Sequence, residues 1–200
     1  MKLHERIRFV FFFLFIIGCS WGVRNLNFQG KAIICFGGSI TYGVGVPKGK
    51  DYPSALSDTL KRKVVNAGIS GDTTKGALAR IEKDVLRKDP YLVIIEFGGN
   101  DFLNKIPLKD TLNNLERIAA RIQKKGAIAA VCDTSVDYFM RGYREHFESI
   151  VKNSKGIFIP GILDDIFNNP ELKSDYIHPN QKGYEIVARK VYRAVKPYVH

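Results

Sequence analysis

The sequence has no run of apolar residues long enough to cross a membrane as a helix. Its longest apolar run, at residues 9–17, has nine residues, whereas a spanning helix needs about 20. It also contains no internal repeat, no low-complexity tract and no second linker after residue 31. These absences, with a length of 200 residues, favour one globular domain.

Positive charge is abundant but is not concentrated in one segment. The net charge is +11, and the Lys and Arg residues are interspersed with Glu and Asp. No helix pattern carries a one-sided basic stripe with aromatic residues for stacking, so we expect no nucleic-acid partner. The charge instead favours anionic membrane surfaces or anionic substrates.

Cysteine and histidine are scarce, with three and four residues respectively. Cys35 and Cys132 lie in apolar strand patterns, where cysteine usually acts as a small buried hydrophobic residue. A disulfide between them stays open at this stage. No set of four ligands at metal-binding spacing is present, so we expect neither a metal nor a cofactor.

The N-terminal segment has the pattern of an export signal, because three basic residues precede the apolar run. The following residues IIGC (16–19) resemble the bacterial lipobox, which implies a lipid-modified Cys19 as the mature N-terminus. By the same resemblance, Ser20 implies the outer membrane. We therefore predict a signal peptide at 1–18, a tether at 19–30 and a domain at 31–200, anchored in the cell envelope and facing the periplasm. The alternatives are an ordinary cleaved signal and an uncleaved anchor.

From residue 31 onward, strand and helix patterns alternate. The predicted strands are at about 31–36, 64–67, 91–97, 127–132 and 156–159. The predicted helices are at about 52–62, 73–88, 110–125, 141–154 and 179–196. Repeated βα units predict an α/β fold with a parallel sheet between helices and right-handed crossovers. Functional residues should then follow the carboxyl ends of the strands.

The first predicted strand ends abruptly at Gly37-Gly38, and the next residue is Ser39. Glycine permits a tight turn at a strand end, so Ser39 is placed like a nucleophile on an elbow. Taken alone, the segment also fits an ordinary turn or a phosphate-cradling loop. The other strand ends must supply a base, an acid and oxyanion donors if Ser39 is a nucleophile.

Three further segments follow strand ends: NAGISGDTT at 66–74, GGND at 98–101 and DYIHP at 175–179. His178 is the only convincing base, since His146 lies within a predicted surface helix. Pro179 restricts the backbone of His178, and Asp175 is close enough in sequence to orient its ring. Gly71 and Asn100 offer amide donors, although each also suits a turn. Asp72 and Asp101 are expected to cap helices or to hold loops through hydrogen bonds rather than to act in catalysis.

These four segments, in this order, resemble the blocks of the SGNH (GDSL) hydrolase family, and in particular its thioesterase I/lysophospholipase L1 and arylesterase branch. The resemblance implies a flavodoxin-like, three-layer αβα sandwich with a five-stranded parallel sheet. It implies a serine esterase or thioesterase that acts through an acyl-enzyme. Ser39 would be the nucleophile, His178 the base and Asp175 its orienting acid. The oxyanion hole would be formed by the backbone N–H groups of Ser39 and Gly71 and the side chain of Asn100.

One residue departs from the family pattern, which has Asp where this chain has Gly38. We expect the missing side chain to leave the nucleophile turn less well braced. The sequence therefore predicts that Gly38→Asp raises turnover or thermal stability. A non-catalytic binding module, disabled at this position, is the rival from another functional class.

The substrate is expected to be a small acyl ester or a lipid. Loops 102–109 and 133–143 follow the third and fourth strands and are predicted to wall an acyl pocket. The candidate lining residues are Phe102, Leu103, Tyr138, Phe139 and Met140. Residues of these types at this spacing are equally often part of the hydrophobic core. A carbohydrate O-deacetylase or an acyltransferase would use the same residues. The sequence gives no prediction of oligomeric state.

Overall fold

The computed structural model describes residues 22–136 and 140–199 of the 200-residue chain. The predicted signal peptide and lipid-attachment residue Cys19 lie outside the described residues. So do Tyr138 and Phe139 of the predicted acyl pocket. Within the described ranges, no helix combines the length and the apolar character that crossing a membrane requires.

Five parallel strands form one sheet, as predicted. They are β1 (Ala32–Gly37), β2 (Val64–Gly68), β3 (Pro90–Glu96), β4 (Ile128–Cys132) and β5 (Ile157–Ile159). Their order across the sheet is β2-β1-β3-β4-β5, which is the flavodoxin-like order. The direction of winding reverses between β1 and β3, so the carboxyl ends of these two strands flank the crevice where ligands bind in such folds.

The structure describes eight α-helices, and three of them were not predicted from the sequence. They are α1 (Ser39–Tyr42), α2 (Tyr52–Leu60), α3 (Thr74–Asp84), α4 (Gly99–Leu103), α5 (Leu108–Lys124), α6 (Tyr143–Ser154), α7 (Asp164–Phe167) and α8 (Gln181–Val195). The unpredicted α1, α4 and α7 have only four or five residues, too few for hydrophobic periodicity to be visible.

Two predicted helix ends are corrected by the structure. The helix expected to reach residue 88 ends at Asp84, because Val85 leaves the helical conformation before a short 3₁₀ turn. The last helix begins at Gln181 rather than Pro179, because the side chain of Asn180 accepts the N–H of Gly183 as its N-cap. The side chain of Asp51 caps α2 by accepting the N–H of Ser54.

Successive strand residues face opposite helical layers. Ile33 and Cys35 of β1 belong to a core shared with α2 and α8. Ile34 and Phe36 belong to the other core, which is shared with α3, α5 and α6. This alternation produces the predicted three-layer αβα sandwich.

Cys35 and Cys132 are free and buried, which answers the question of a disulfide left open by the sequence. They lie on β1 and β4, and β3 separates these strands. The two residues are therefore too far apart to be bridged. Burial raises the pKa of both thiols, which makes them poor nucleophiles.

Residues 22–30, in the second part of the predicted tether, pack against the domain. The side-chain amide of Asn25 donates to the carbonyl oxygens of Gln123 and Ala127, both at 2.9 Å. The N–H of Arg24 donates to the carbonyl oxygen of Lys155 at 2.9 Å. These partners precede β4 and β5, so this segment lies at the amino end of the sheet. The functional segments of the sequence lie at the opposite end.

Candidate active site

Ser39 is the first residue of α1 and follows β1 with one intervening glycine. The carbonyl oxygen of Gly37 accepts hydrogen bonds from the N–H of Ile69 (3.1 Å) and from Nη2 of Arg80 (3.1 Å). The carbonyl oxygen of Thr41 accepts from the side-chain amide of Asn66 at 2.8 Å. The turn is therefore held on both sides of Ser39 by neighbouring strand ends and helices.

His178 lies across the site from Ser39, with its Nε2 atom 3.0 Å from the Oγ atom of Ser39. Its other ring nitrogen, Nδ1, lies 2.7 Å from Oδ2 of Asp175. A carboxylate only accepts hydrogen bonds, so Nδ1 carries the proton and Nε2 is left to accept from the Ser39 hydroxyl. The structure thus connects a hydroxyl, an imidazole and a carboxylate that lie on two distant segments of the chain.

The loop that carries Asp175 and His178 is closed at its base. Lys173 and Pro179 form an isolated antiparallel bridge, and the N–H of Ser174 donates to the carbonyl oxygen of His178 at 2.9 Å. Oδ1 of Asp175 accepts the N–H groups of Ile177 (2.9 Å) and His178 (2.8 Å). These bonds fix the direction of the imidazole ring.

The pKa of Asp175 is lowered to about 2. Partial burial acts to raise it, but hydrogen bonds from His178 and from the backbone N–H groups of Ile177 and His178 outweigh this effect. The carboxylate is therefore ionised over the whole neutral range, as an acid that orients an imidazole must be.

The three donors named in the sequence analysis lie at the ends of β1, β2 and β3. Within the described part of the chain, the backbone N–H groups of Ser39 and Gly71 donate to no protein acceptor. Gly71 has a left-handed φ of +77°, a conformation that glycine adopts without strain. The side-chain amide of Asn100 donates to the carbonyl oxygen of Asp72 at 2.9 Å, which leaves its second hydrogen for another acceptor.

Asn100 also lies directly beside Gly38, which changes the expectation for that residue. A Cβ atom added at Gly38 would lie 2.8 Å from Nδ2 of Asn100, too close without a shift of the amide. The N–H of Gly38 is also already held by the Oε2 atom of Glu96 at 3.1 Å. Since the turn has a brace and the added atom would displace Asn100, the structure argues against the predicted gain from Gly38→Asp.

An apolar cavity of about 90 Å³ opens beside Ser39 and His178. Phe102, Leu103 and Met140, which are candidate lining residues of the predicted acyl pocket, line this cavity. Thr134 and Val136, which also line the cavity, lie in the predicted loop 133–143. The remaining lining residues were not named from the sequence: Ile40, Glu96, Gly99, Leu163, Phe167 and Ile177. Leu163 and Phe167 follow β5, so the rule that sites form at carboxyl strand ends would have found them.

A second groove adjoins the cavity and has a volume of about 440 Å³. Phe102 and Leu103 line both spaces, and Lys105, Ile106 and Tyr143 complete the groove. Leu103 is half exposed. An apolar chain longer than the cavity would therefore pass over these two residues.

Exposed large apolar side chains concentrate around this site. Six such residues occur among the described residues, and five lie within three positions of Ser39, Gly71, Asn100 or His178. The five are Tyr42, Ile69, Leu103, Tyr176 and Ile177. Tyr176, which is 92 % exposed, stands in the loop between Asp175 and His178. These five residues are close in sequence to the candidate site residues, and contiguous exposed apolar surface is typical of ligand-binding grooves.

The remaining polar residues of the four segments have structural partners. Asp101 is buried and accepts the N–H of Thr74 at 3.0 Å, and Asp72 pairs with Nε of Arg80 at 2.7 Å. Both are braces, as predicted, and His146 is exposed on α6. Across residues 22–136 and 140–199, no group of three His, Cys, Asp or Glu residues is placed to hold a metal ion.

Most of the chain resembles known proteins. The model of the GDSL-like Lipase/Acylhydrolase family matches residues 35–186. An arylesterase of Vibrio mimicus is 29% identical over 172 residues, covering 80% of this chain and 86% of the relative. The thioesterase 1/protease 1/lysophospholipase L1 of Escherichia coli K12 is 27% identical over 186 residues, covering 88% and 89%. The crystal structure of TesA superposes with a TM-score of 0.77 at 26% identity, covering 84% of this chain and 99% of TesA.

Proposed function

This chain belongs to the GDSL-like lipase/acylhydrolase family, and we propose that it hydrolyses acyl esters with Ser39 as nucleophile, His178 as general base and Asp175 as the acid that orients His178. The relatives named arylesterase and thioesterase/lysophospholipase support ester-bond hydrolysis. The observation that carries the assignment of residues is the pair of contacts from His178, 3.0 Å to Ser39 and 2.7 Å to Asp175.

In the first half of the reaction, Nε2 of His178 takes the hydroxyl proton as Oγ of Ser39 attacks the substrate carbonyl carbon. The negative charge that develops on the carbonyl oxygen is met by the N–H groups of Ser39 and Gly71 and by the amide of Asn100. His178 then donates its proton to the departing alcohol or thiol. An acyl group remains bound to Oγ.

In the second half, water replaces the leaving group. His178 removes a proton from the water as its oxygen attacks the acyl carbon, and the same donors stabilise the second oxyanion. The proton then returns to Oγ of Ser39, and the carboxylic acid leaves. Asp175 stays ionised throughout, which its pKa of about 2 supports.

We further propose that the apolar cavity holds the acyl chain. A cavity of 150 Å³ holds a molecule of benzene, so a cavity of about 90 Å³ suits an acyl group of roughly two to four carbons. Longer acyl chains would continue over Phe102 and Leu103 into the second groove. The exposed apolar residues around the site support ester substrates with apolar parts, including lysophospholipids.

The serine assignment is tested with two matched variants. Ser39→Ala should abolish hydrolysis of p-nitrophenyl butyrate and labelling by a fluorophosphonate probe. Ser70→Ala changes an exposed serine on a neighbouring loop and should leave both unchanged. Labelling of Ser39→Ala, or burst kinetics retained in it, would exclude this mechanism. A panel that adds acyl-CoA, lysophospholipid and an acetylated saccharide separates thioesterase, lipase and O-deacetylase activities.

We also propose that the protein is exported and carries a lipid anchor at Cys19 in the cell envelope. The basic start, the short apolar run and the lipobox-like IIGC segment support this proposal. Residues 24 and 25 bind the amino end of the sheet, so an anchor at Cys19 would hold that end toward the membrane with Ser39 facing away. Metabolic labelling with an alkyne fatty acid should mark the wild type and Ser20→Ala but not Cys19→Ser; equal labelling of Cys19→Ser would reject the anchor.

A further inference from the structure

The side chain of Glu96 lines the proposed acyl cavity, and it also lies beneath the turn that carries Ser39. It is the last residue of β3 and is 4 % exposed. Its Oε2 atom accepts three hydrogen bonds: from the N–H of Gly38 (3.1 Å), from the N–H of Thr41 (3.1 Å) and from Oγ1 of Thr41 (2.8 Å). One oxygen atom therefore binds the residue before Ser39 and the second residue after it.

A second buried hydroxyl, that of Tyr52, extends these hydrogen bonds beyond Thr41. Oγ1 of Thr41 donates its only proton to Glu96, so the hydroxyl of Tyr52, 3.1 Å away, must donate to Oγ1. Thr41 and Tyr52 are fully buried. The result is a series of hydrogen bonds, all donated in the same direction, from α2 through α1 to the end of β3. Hydrogen bonds in such series strengthen one another.

The backbone amides on either side of Ser39 are hydrogen-bonded, whereas the amide of Ser39 itself is bonded to no residue that the structure describes, and this difference relates the hydrogen bonds of Glu96 to the proposed function. Glu96 binds the N–H groups of Gly38 and Thr41, while the N–H of Ser39 between them donates to no described residue. Fixing the two flanking amides fixes the direction of the Ser39 amide. It also fixes the Cα–Cβ bond that directs Oγ toward His178. The geometry of both the nucleophile and the first oxyanion donor thus depends on Glu96.

We infer that Glu96 is a positioning residue that acts through Gly38 and Thr41 to hold Ser39 and its N–H in the geometry that acyl transfer requires. This inference rests on the proposed function of Ser39. A displacement of reacting atoms by about 1 Å is enough to lower a rate by about 10²-fold. Loss of the brace should therefore lower kcat, while the other residues that line the acyl cavity continue to bind substrate.

Two variants of Glu96 separate positioning from general loss of structure. Glu96→Ala removes the side-chain acceptor of the Thr41 bonds but keeps the backbone carbonyl oxygen of Glu96, which also accepts the N–H of Gly38 at 3.2 Å. It should lower kcat for p-nitrophenyl butyrate by about tenfold or more, with a smaller change in KM. The rate of reaction with a fluorophosphonate should fall by the same factor. Glu96→Gln keeps an acceptor oxygen and should restore most of kcat. Wild-type kcat in Glu96→Ala, or equal loss in both variants, would overturn the inference.

A second pair of variants leaves the Glu96 carboxylate in place. It tests the positioning role of Glu96 even if Glu96→Ala does not fold. Thr41→Val replaces a hydroxyl with a methyl group of similar size and should lower kcat by about threefold to tenfold, because one of the three bonds to Oε2 is lost. Thr41→Ser keeps the hydroxyl and should retain a higher kcat than Thr41→Val. Equal kcat values for these two variants would reject the role of the Thr41–Glu96 bond.

Failure of this inference is distinguishable from failure of the proposed function. If Ser39→Ala remains active, the serine mechanism itself is wrong. If Ser39→Ala is inactive while Glu96→Ala and Thr41→Val keep the wild-type kcat, the serine mechanism stands and the positioning role of Glu96 is wrong.

Discussion

The side-chain amide of Asn100 donates to the backbone carbonyl oxygen of Asp72 at 2.9 Å, which joins helix α4 after β3 to the loop after β2. The same amide nitrogen lies next to Gly38, the residue before Ser39. Three strand ends therefore meet at one amide group. The orientation of this amide is set by tertiary contacts, so substitutions at Asn100 and at Gly38 should both affect catalysis.

Replacement of Asn100 by Ala should lower kcat for p-nitrophenyl butyrate by about 10²–10³-fold, the usual cost of one oxyanion donor. The reason is that the charge on the carbonyl oxygen develops mainly in the transition state, so KM should change much less. Asn104→Ala, which alters an exposed asparagine at the end of α4, is the matched control. An Asn100→Ala enzyme within a few fold of the wild type would remove Asn100 from the oxyanion hole.

Substitution at Gly38 should reduce turnover. In Gly38→Ala the new Cβ atom contacts Nδ2 of Asn100, and in Gly38→Asp a carboxylate is added in the same place, near the developing oxyanion. We expect kcat to fall in Gly38→Ala and to fall further in Gly38→Asp, because one donor is displaced and negative charge is added. Kinetics of both variants with one ester measure this. A higher kcat in Gly38→Asp would restore the expectation based on sequence.

The acyl-chain preference should depend on Leu103, which lies between the cavity and the second groove. Leu103→Trp narrows this passage, so the ratio of turnover of p-nitrophenyl decanoate to that of the butyrate should fall by about tenfold, the effect of a few misfitted methylene groups. Leu26→Trp changes an exposed leucine at the other end of the molecule and provides the control. An unchanged ratio in Leu103→Trp would show that long chains take another path.

The pH dependence of stability should carry a contribution from Glu96. Burial raises the pKa of Glu96 from 4.5 to about 7, and hydrogen bonds from Thr41 and Gly38 only partly oppose this effect. Between these two pH values the folded protein binds more protons than the unfolded chain, so the free energy of unfolding falls as pH rises. The buried neighbours Cys35 and Tyr52 stay neutral in this range, since their pKa values are raised.

This contribution is measured by comparing melting temperatures of the wild type and Glu96→Gln at intervals from pH 5 to pH 8. The wild-type melting temperature should decrease by several degrees more than that of Glu96→Gln over this range, because the amide does not ionise. The slope with pH is the readout, since the substitution also changes the absolute stability. Parallel curves would mean that Glu96 does not titrate near neutral pH.

The alternation of strands and helices was readable from the sequence because long elements bury periodic apolar faces. The apolar segment that became β3 and the amphipathic pattern of α5 are examples. The short helices α1 and α4 were not readable, although they carry Ser39 and Asn100. Contacts between residues far apart in sequence hold them: the bonds from Gly38 and Thr41 to Glu96 for α1, and the bond from Thr74 to Asp101 for α4.

By itself, the sequence determined the layers of the fold and the set of residues with the chemistry for acyl transfer, because hydrophobic periodicity and side-chain type are local properties. Only the tertiary structure decided that His178 lies 3.0 Å from Ser39 and that Asn100 contacts the space beside Gly38. It also decided that Glu96 binds the turn that carries Ser39 and that residues 24 and 25 bind the far end of the sheet. These relationships depend on the order of strands in the sheet and on how the loops at its ends pack, and neither is encoded in any short segment.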